Sequence, residues 1–294
     1  MTRSIRFCFT AALLALPLSA GDYPRTLYAY PGRTPVIDGV LSDAEWDDAL
    51  QFTGPIRWVS QLTPVTDPKD LSVRVYVKHD DQRLYFAFDI NDDVLYGIDT
   101  PRWLPSENPK ANELTKDGWP WFGDSVELFL NASNRWSGAE TPAGTGASWA
   151  MVCNLEKSHK GGVGKGGLVG DPPTHETSAD TYGHWIDTGA QEAAIKAKPG
   201  GKGYIIEWAI RFNPCLQVEP GRFYSPSMGD RPMGLNIAIR DADEQEKGKG
   251  NFANLHHEAW FAGVKDTENQ LRKWGTLWMM AQPARETKPV KILR

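Results

Sequence analysis

Apolar and polar residues alternate along most of this chain, which is the pattern of strands that bury one face. Leu71, Val73, Val75 and Val77 fall on one side, with Arg74, Tyr76 and Lys78 on the other. Asp80, Asp81 and Gln82 make a turn, and the chain returns from Arg83 to Ile90 with Leu84, Phe86 and Phe88 on a common face. The pair predicts a hairpin. Further strands are expected at 125–131, 147–155, 182–187, 192–198, 204–212, 234–241, 257–262 and 274–280. Short strands at this density, parted by Gly, Pro and Asp, predict an all-β chain folded as an antiparallel sandwich.

A single short helix interrupts the pattern near the start. Ser42-Asp43-Ala44-Glu45 has the form of a capping box, in which Ser42 caps a backbone N–H and Glu45 reaches back. Trp46 and Leu50, four residues apart, would then share its buried face. Two stretches break the strand rhythm: 96–123, rich in Pro, Trp and charge, and 157–181, which holds a glycine run from Gly161 to Gly167. Loops of this length in a compact domain carry function or move. No internal repeat or composition shift marks a second domain, so 27–281 reads as one domain and 282–294 as a polar tail.

Residues 1–20 read as a cleaved export signal: Arg3 and Arg6 lead an apolar stretch, and a small-residue exit places the cut after Ala20. The mature chain is then expected outside the cytoplasm, secreted or periplasmic. No later stretch approaches the ~20 apolar residues of a membrane span. Loss of the two arginines shifts the formal charge from −5 to −7, a poor match for nucleic acid, whose phosphates need a basic face. Cys153 and Cys215 remain, and in an oxidising compartment they either pair or stay as two buried thiols.

Most enzyme motifs are missing. Lys165 in the glycine run is followed by Gly166 rather than Ser or Thr, so the run is a flexible loop and not a phosphate cradle. His256-His257-Glu258 lacks the second spaced histidine of a zinc protease. Glu127 with Glu207 or Asp124 offers paired carboxylates of the kind glycoside hydrolysis uses, but acids on strands are more often solvated or bound to a cation. The twelve tryptophans are more than a chain this long buries easily, so some are expected at a surface where they can stack on a ligand.

Several segments, in order, resemble the family 9 carbohydrate-binding modules and the wider DOMON-like sandwiches. They are Pro35-Val36-Ile37-Asp38-Gly39 with Asp43-Ala44-Glu45-Trp46, Val73-Arg74-Val75-Tyr76-Val77 with Leu84-Tyr85-Phe86-Ala87-Phe88, and Pro120-Trp121-Phe122-Gly123-Asp124-Ser125-Val126-Glu127-Leu128-Phe129. Tyr204 to Ile210, Gly234-Leu235-Asn236-Ile237 and Lys273-Trp274-Gly275-Thr276-Leu277 follow. The resemblance implies an immunoglobulin-like, DOMON-like β-sandwich that binds a mono-, oligo- or polysaccharide without catalysis. It implies Trp121 as a stacking platform and Glu127 as an acceptor for sugar hydroxyls. The other readings are a ring at the mouth of the core for Trp121 and a calcium or salt-bridge partner for Glu127.

The family clamps its sugar between two tryptophans, and the stretch from Lys265 to Gln270 lacks the second. Trp103, Trp119 and Trp136 in the long loops are candidate replacements, and Asn269 a candidate hydrogen-bond donor. Family members also hold structural calcium. Asp92, in the run Asp89-Ile90-Asn91-Asp92-Asp93, and Asp124 are the candidate ligands, the other reading being an ordinary acidic turn. Asp241, Asp243 and Glu244 read as a solvated turn. Two alternatives stand beside sugar binding. One is a haem b electron carrier drawing axial ligands from Met151, Met228, Met233, His184, His256 or His257; the other is a sandwich with a decayed sugar site that binds a protein partner.

Overall fold

Period-two burial closes the chain into two facing sheets. The computed structural model describes residues 26–53, 57–58, 69–95, 124–134, 148–154, 169–171, 191–219, 221–242, 256–260 and 275–283. One sheet grows from the hairpin of β4 (Leu71–His79) and β5 (Arg83–Asp92), in which Leu71 faces Asp92 and His79 faces Leu84. β10 (Tyr204–Arg211) and β9 (Gln191–Ala197) extend it beyond β5, and β2 (Leu50–Thr53) closes the opposite edge, giving the order β2-β4-β5-β10-β9.

The other sheet runs β1 (Thr26–Ala29), β15 (Gly275–Met279), β13 (Arg231–Ala242), β6 (Ser125–Asn131), β7 (Ser148–Asn154) and β8 (Val169–Asp171). β15 lies along the first half of β13 and β14 (His256–Trp260) along its last residues, with β3 (Arg57–Trp58) outside β14. Every pairing in both sheets is antiparallel except β1 with β15. β11 (Gln217–Glu219) and β12 (Arg222–Phe223) form a separate ribbon.

Most predicted strands lie within a residue or two of these positions; β13 starts three residues earlier than expected, and 182–187 lies outside the described residues. The strands not anticipated, β1, β2, β3, β8, β11 and β12, span four residues or fewer, too short for alternation to register. β8 falls inside the expected 157–181 loop and pairs with β7.

Val75, Val77, Phe86, Phe88, Ile206 and Trp208 from one sheet meet Val126, Leu128, Leu235, Ile237 and Leu277 from the other in a continuous core. Trp208 is wholly buried and donates its Nε1–H to Gln191 Oε1 at 2.9 Å. Cys215, in the short helix α2 (Phe212–Cys215), is a thiol outside any disulfide, and burial pushes it up to about 12. Cys153, its possible partner, lies on β7 with its side chain outside the described residues.

The opening segment, 30–49, packs on the outer side of the β4–β5–β10 sheet, where Trp46 and Ala49 cover Tyr76, Tyr85, Ala87 and Ala209. The helix, α1 (Asp43–Trp46), has Ser42 as its N-cap, but the expected cap bond is absent. Ser42 Oγ instead donates to Glu45 Oε2 at 2.6 Å, so the two side chains of the box bind each other. Leu50 belongs to β2 and packs on the main core, so it does not share a face with Trp46.

Buried polar contacts hold this segment down. Lys78 Nζ reaches Asp48 Oδ1 at 2.8 Å and the Glu45 carbonyl, and lies 5.0 Å above the Trp46 ring. Gly39 has φ +79°, and a Cβ there would sit 2.9 Å from Lys196 Cβ, so the turn admits only glycine without displacement.

Asp80 organises the β4–β5 turn. It accepts hydrogen bonds from Thr34 Oγ1 (2.7 Å), Tyr85 OH (2.5 Å), Gln82 N (2.7 Å) and Arg83 N (2.8 Å). Burial alone would raise its carboxyl, but these four donors hold it below the usual value of 3.8. A depressed carboxyl stabilises the fold above its unfolded value and loses that contribution as pH falls through its folded one. Asp80→Asn should therefore flatten the loss of stability measured by urea unfolding below about pH 4; an unchanged acid-side slope would count against this assignment.

Candidate functional site

The inward face of a strand continues to its ends, and three strands end inward on an aspartate. Asp92 follows Ile90 in phase on β5, Asp124 precedes Val126 in phase at the start of β6, and Asp241 follows Ile239 in phase on β13. All three are buried, at 2%, 0% and 1% exposure, and one carboxylate oxygen from each lies within 4.8 Å of the others. β5 belongs to one sheet and β6 and β13 to the other, so the cluster joins the sheets at one end of the core. Asp92 Oδ1 also accepts from Val94 N at 2.9 Å.

Two like charges at this spacing repel by about 3 to 4 kcal/mol even at an effective dielectric near 20. Burial adds a desolvation cost for each ion. Three carboxylates collected in a core therefore require compensating positive charge or bound protons. The donors are all hard oxygens, the set that suits calcium, and two oxygens across a calcium ion at 2.3–2.6 Å are at most about 5 Å apart. The residues present fit such an ion.

Asp92 and Asp124, the two aspartates singled out as metal candidates, thus stand together. Asp241 corrects the expectation of a solvated turn: it is enclosed with them. The phase of Leu235, Ile237, Ile239 and Asp241 was the available signal, since all four share the core-facing register.

Glu127 lies on β6 opposite Ala238 and Val152; its side chain, together with Trp103, Trp119, Trp121, Trp136 and Asn269, lies outside the described residues. Glu207, the other half of the conceivable carboxylate pair, has a structural role. Its Oε2 accepts from Asp38 N (2.9 Å) and Gly39 N (2.7 Å), and its Oε1 from Trp46 Nε1 (2.7 Å). At 0% exposure, on the sheet opposite to that of β6, it has no access to a substrate. Among the haem-ligand candidates, Met233 is enclosed in the aliphatic core and Met228 packs against it. Met151 lies on β7 and His256 and His257 on β14, while His184 is outside the described residues.

Comparison with known proteins adds to this geometry. No curated protein matches the chain significantly. Among solved structures, a family 9 carbohydrate-binding module from Caldicellulosiruptor kristjanssonii in complex with glucose superposes with a TM-score of 0.54 at 17% identity, covering 89% of this chain and 98% of that one. The module from the same organism in complex with cellotriose gives 0.53 at 16% identity, covering 92% and 100%. At such identities the likeness establishes the β-sandwich fold. The sequence pattern of the family described as "Carbohydrate family 9 binding domain-like" matches residues 37–278, most of the chain. The chain belongs to that family.

Proposed function

We propose that this protein is a carbohydrate-binding module that recognises sugar without catalysis and holds calcium at Asp92, Asp124 and Asp241. The match of the family pattern across residues 37–278 carries the sugar reading. The likeness of nearly the whole chain to modules solved with glucose and cellotriose supports it. Calcium is supported by the enclosed three-carboxylate cluster. Bound there, the ion would neutralise the carboxylates and tie β5 to β6 and β13.

Trp121 and Glu127 are the proposed sugar contacts, an indole for the apolar face of a pyranose and a carboxylate for its hydroxyls. Trp121 stands three residues before Asp124 and Glu127 three residues after it. A cation held by Asp124 would therefore anchor the chain midway between the two contacts. Trp119, Trp103 and Asn269 are further candidates. Export through the leader at 1–20 belongs to the same proposal, because extracellular calcium fills even sites of 10⁻⁴–10⁻³ M affinity, an order-of-magnitude range for such modules.

Calorimetric titration with glucose, cellotriose and soluble polysaccharides, with calcium present, tests the reading. Binding is expected for at least one of them, and Trp121→Ala should weaken it roughly three- to tenfold, the loss of one stacking ring. If none binds, the proposal fails. Binding untouched by Trp121→Ala would remove that ring from it.

A further inference from the structure

The outer face of the β1–β15–β13 sheet carries an aromatic row that the site above does not use. Leu27, Ala29, Leu277, Met279, Met233 and Leu235 take the inward positions, so the residues between them face out. Register sets Tyr28 beside Trp278 and Trp278 beside Pro232. With strands ~4.8 Å apart, the three form a flat row about 10 Å long across the sheet. Tyr30 adds a second ring at 6.2 Å from Tyr28, with the two planes within 24°.

Tyr28 is 40% exposed, and among the described residues it is the only aromatic among the exposed large hydrophobics. Trp278, Pro232 and Tyr30 are partly exposed. Two residues along, Thr26 and Thr276 form the next cross-strand pair, also partly exposed, and set hydroxyls beside the rings.

We propose that this row is a second carbohydrate surface, and that it takes a neutral polysaccharide chain lying across the strands. Stacking suits the apolar C–H faces of successive sugar rings, and the threonine hydroxyls suit their rims. The row bears no charged side chain, and a chain of net charge −5 does not attract polyanions. The open aromatic area is on the order of 250 Å², far below the ~800 Å² per partner of a stable protein interface. A polysaccharide needs no such area, because it gains by repeating the contact.

Pro232 and Asp241 stand nine residues apart on one strand, which separates the row from the carboxylate end of the core by about 30 Å. A polymer can engage both ends of the module and gain avidity, while a trisaccharide reaches one.

The test compares adsorption to insoluble cellulose, xylan and mannan with calorimetric binding of cellotriose. It uses the wild-type chain, Tyr28→Ala and the double variant Tyr28→Ala/Trp278→Ala, with melting temperatures recorded to confirm folding. Cellotriose affinity should stay within about twofold, while polymer adsorption falls about tenfold to a hundredfold in the double variant and less in Tyr28→Ala. If the double variant does not fold, Tyr28→Ala alone decides, since its ring is the most exposed.

Unchanged adsorption, or equal loss of cellotriose and polymer binding, overturns the proposal. So does a wild-type dimer in sedimentation that becomes a monomer on substitution, which would make a second copy the occupant. The proposal takes its sugar from the carbohydrate-binding reading, and the arms separate the two. Wild type that binds neither cellotriose nor any polymer defeats that reading, whereas cellotriose binding with polymer adsorption indifferent to the row defeats only the second surface.

Discussion

Saturating calcium is expected to raise the melting temperature of this protein by roughly 5 to 10 °C over the chelated form. An ion that binds only the folded state stabilises it by about 2.7 kcal/mol when present at about one hundred times its dissociation constant. For a domain of this size each kcal/mol moves the midpoint by about 2 to 4 °C. Asp241→Asn separates the ion from the cluster itself. The substitution removes one ligand, and it also removes repulsion among carboxylates that lie within 4.8 Å.

The calcium-induced shift of Asp241→Asn should therefore fall to less than half, while its melting temperature in chelator stays at or above that of the wild type. Asp124→Asn should behave in the same way. Scanning calorimetry with calcium, magnesium and EDTA reads both quantities. Magnesium should do less, since it demands a tight octahedron and keeps its waters. No calcium response in the wild type would end the case for this site.

Glu207→Ala is expected to destabilise the fold by about 3 to 5 kcal/mol, because it leaves the N–H groups of Asp38, Gly39 and Trp46 without their buried acceptor. The opening segment would lose its anchor on β10, and limited proteolysis should then cut near residues 36–41 first. Glu207→Gln keeps one acceptor oxygen but turns an amide toward a donor, so its loss should be smaller, about 1 to 3 kcal/mol.

The two forms also differ in pH dependence. Burial is the largest influence on the Glu207 carboxyl and lifts it above its usual 4.5, against the opposing pull of the Asp38, Trp46 and Gly39 donors. A raised carboxyl stabilises the fold fully below its unfolded value and loses that contribution as pH rises through the folded one. The stability gap between wild type and Glu207→Gln should therefore be widest in acid and narrow as pH rises above the usual carboxylate value of 4.5 in urea unfolding. A gap that widens toward neutral pH would mean that the three donors outweigh burial.

Much of the sandwich was legible in the residues. β4, β5, β6, β10 and β13 each run seven residues or more, long enough for alternation to show both the strand and its buried side. The helix shows where local rules stop. Ser42 and Glu45 satisfy a capping box by type and spacing, yet they bind each other, with Glu45 also near Val36 N at 3.4 Å. Glu207 misled for a related reason: a glutamate in a strand looks the same whether it faces water or lies under a folded-back segment. Only the placement of 30–49 over β10 brings Trp46 Nε1 and two backbone N–H groups to its oxygens.

The chain's own pattern determined which residues alternate, which faces are apolar and, through the ordered motifs from Pro35 to Met279, the family. Tertiary structure alone decided that Asp241 joins Asp92 and Asp124 in one buried carboxylate cluster, and that Tyr28, Trp278 and Pro232 form one row. Local periodicity encodes the side of the strand a residue takes, because that depends on its immediate neighbours in the chain. Which residues meet depends on pairing register and sheet packing between segments more than one hundred positions apart, as between Asp124 and Asp241, and no stretch of sequence carries that by itself.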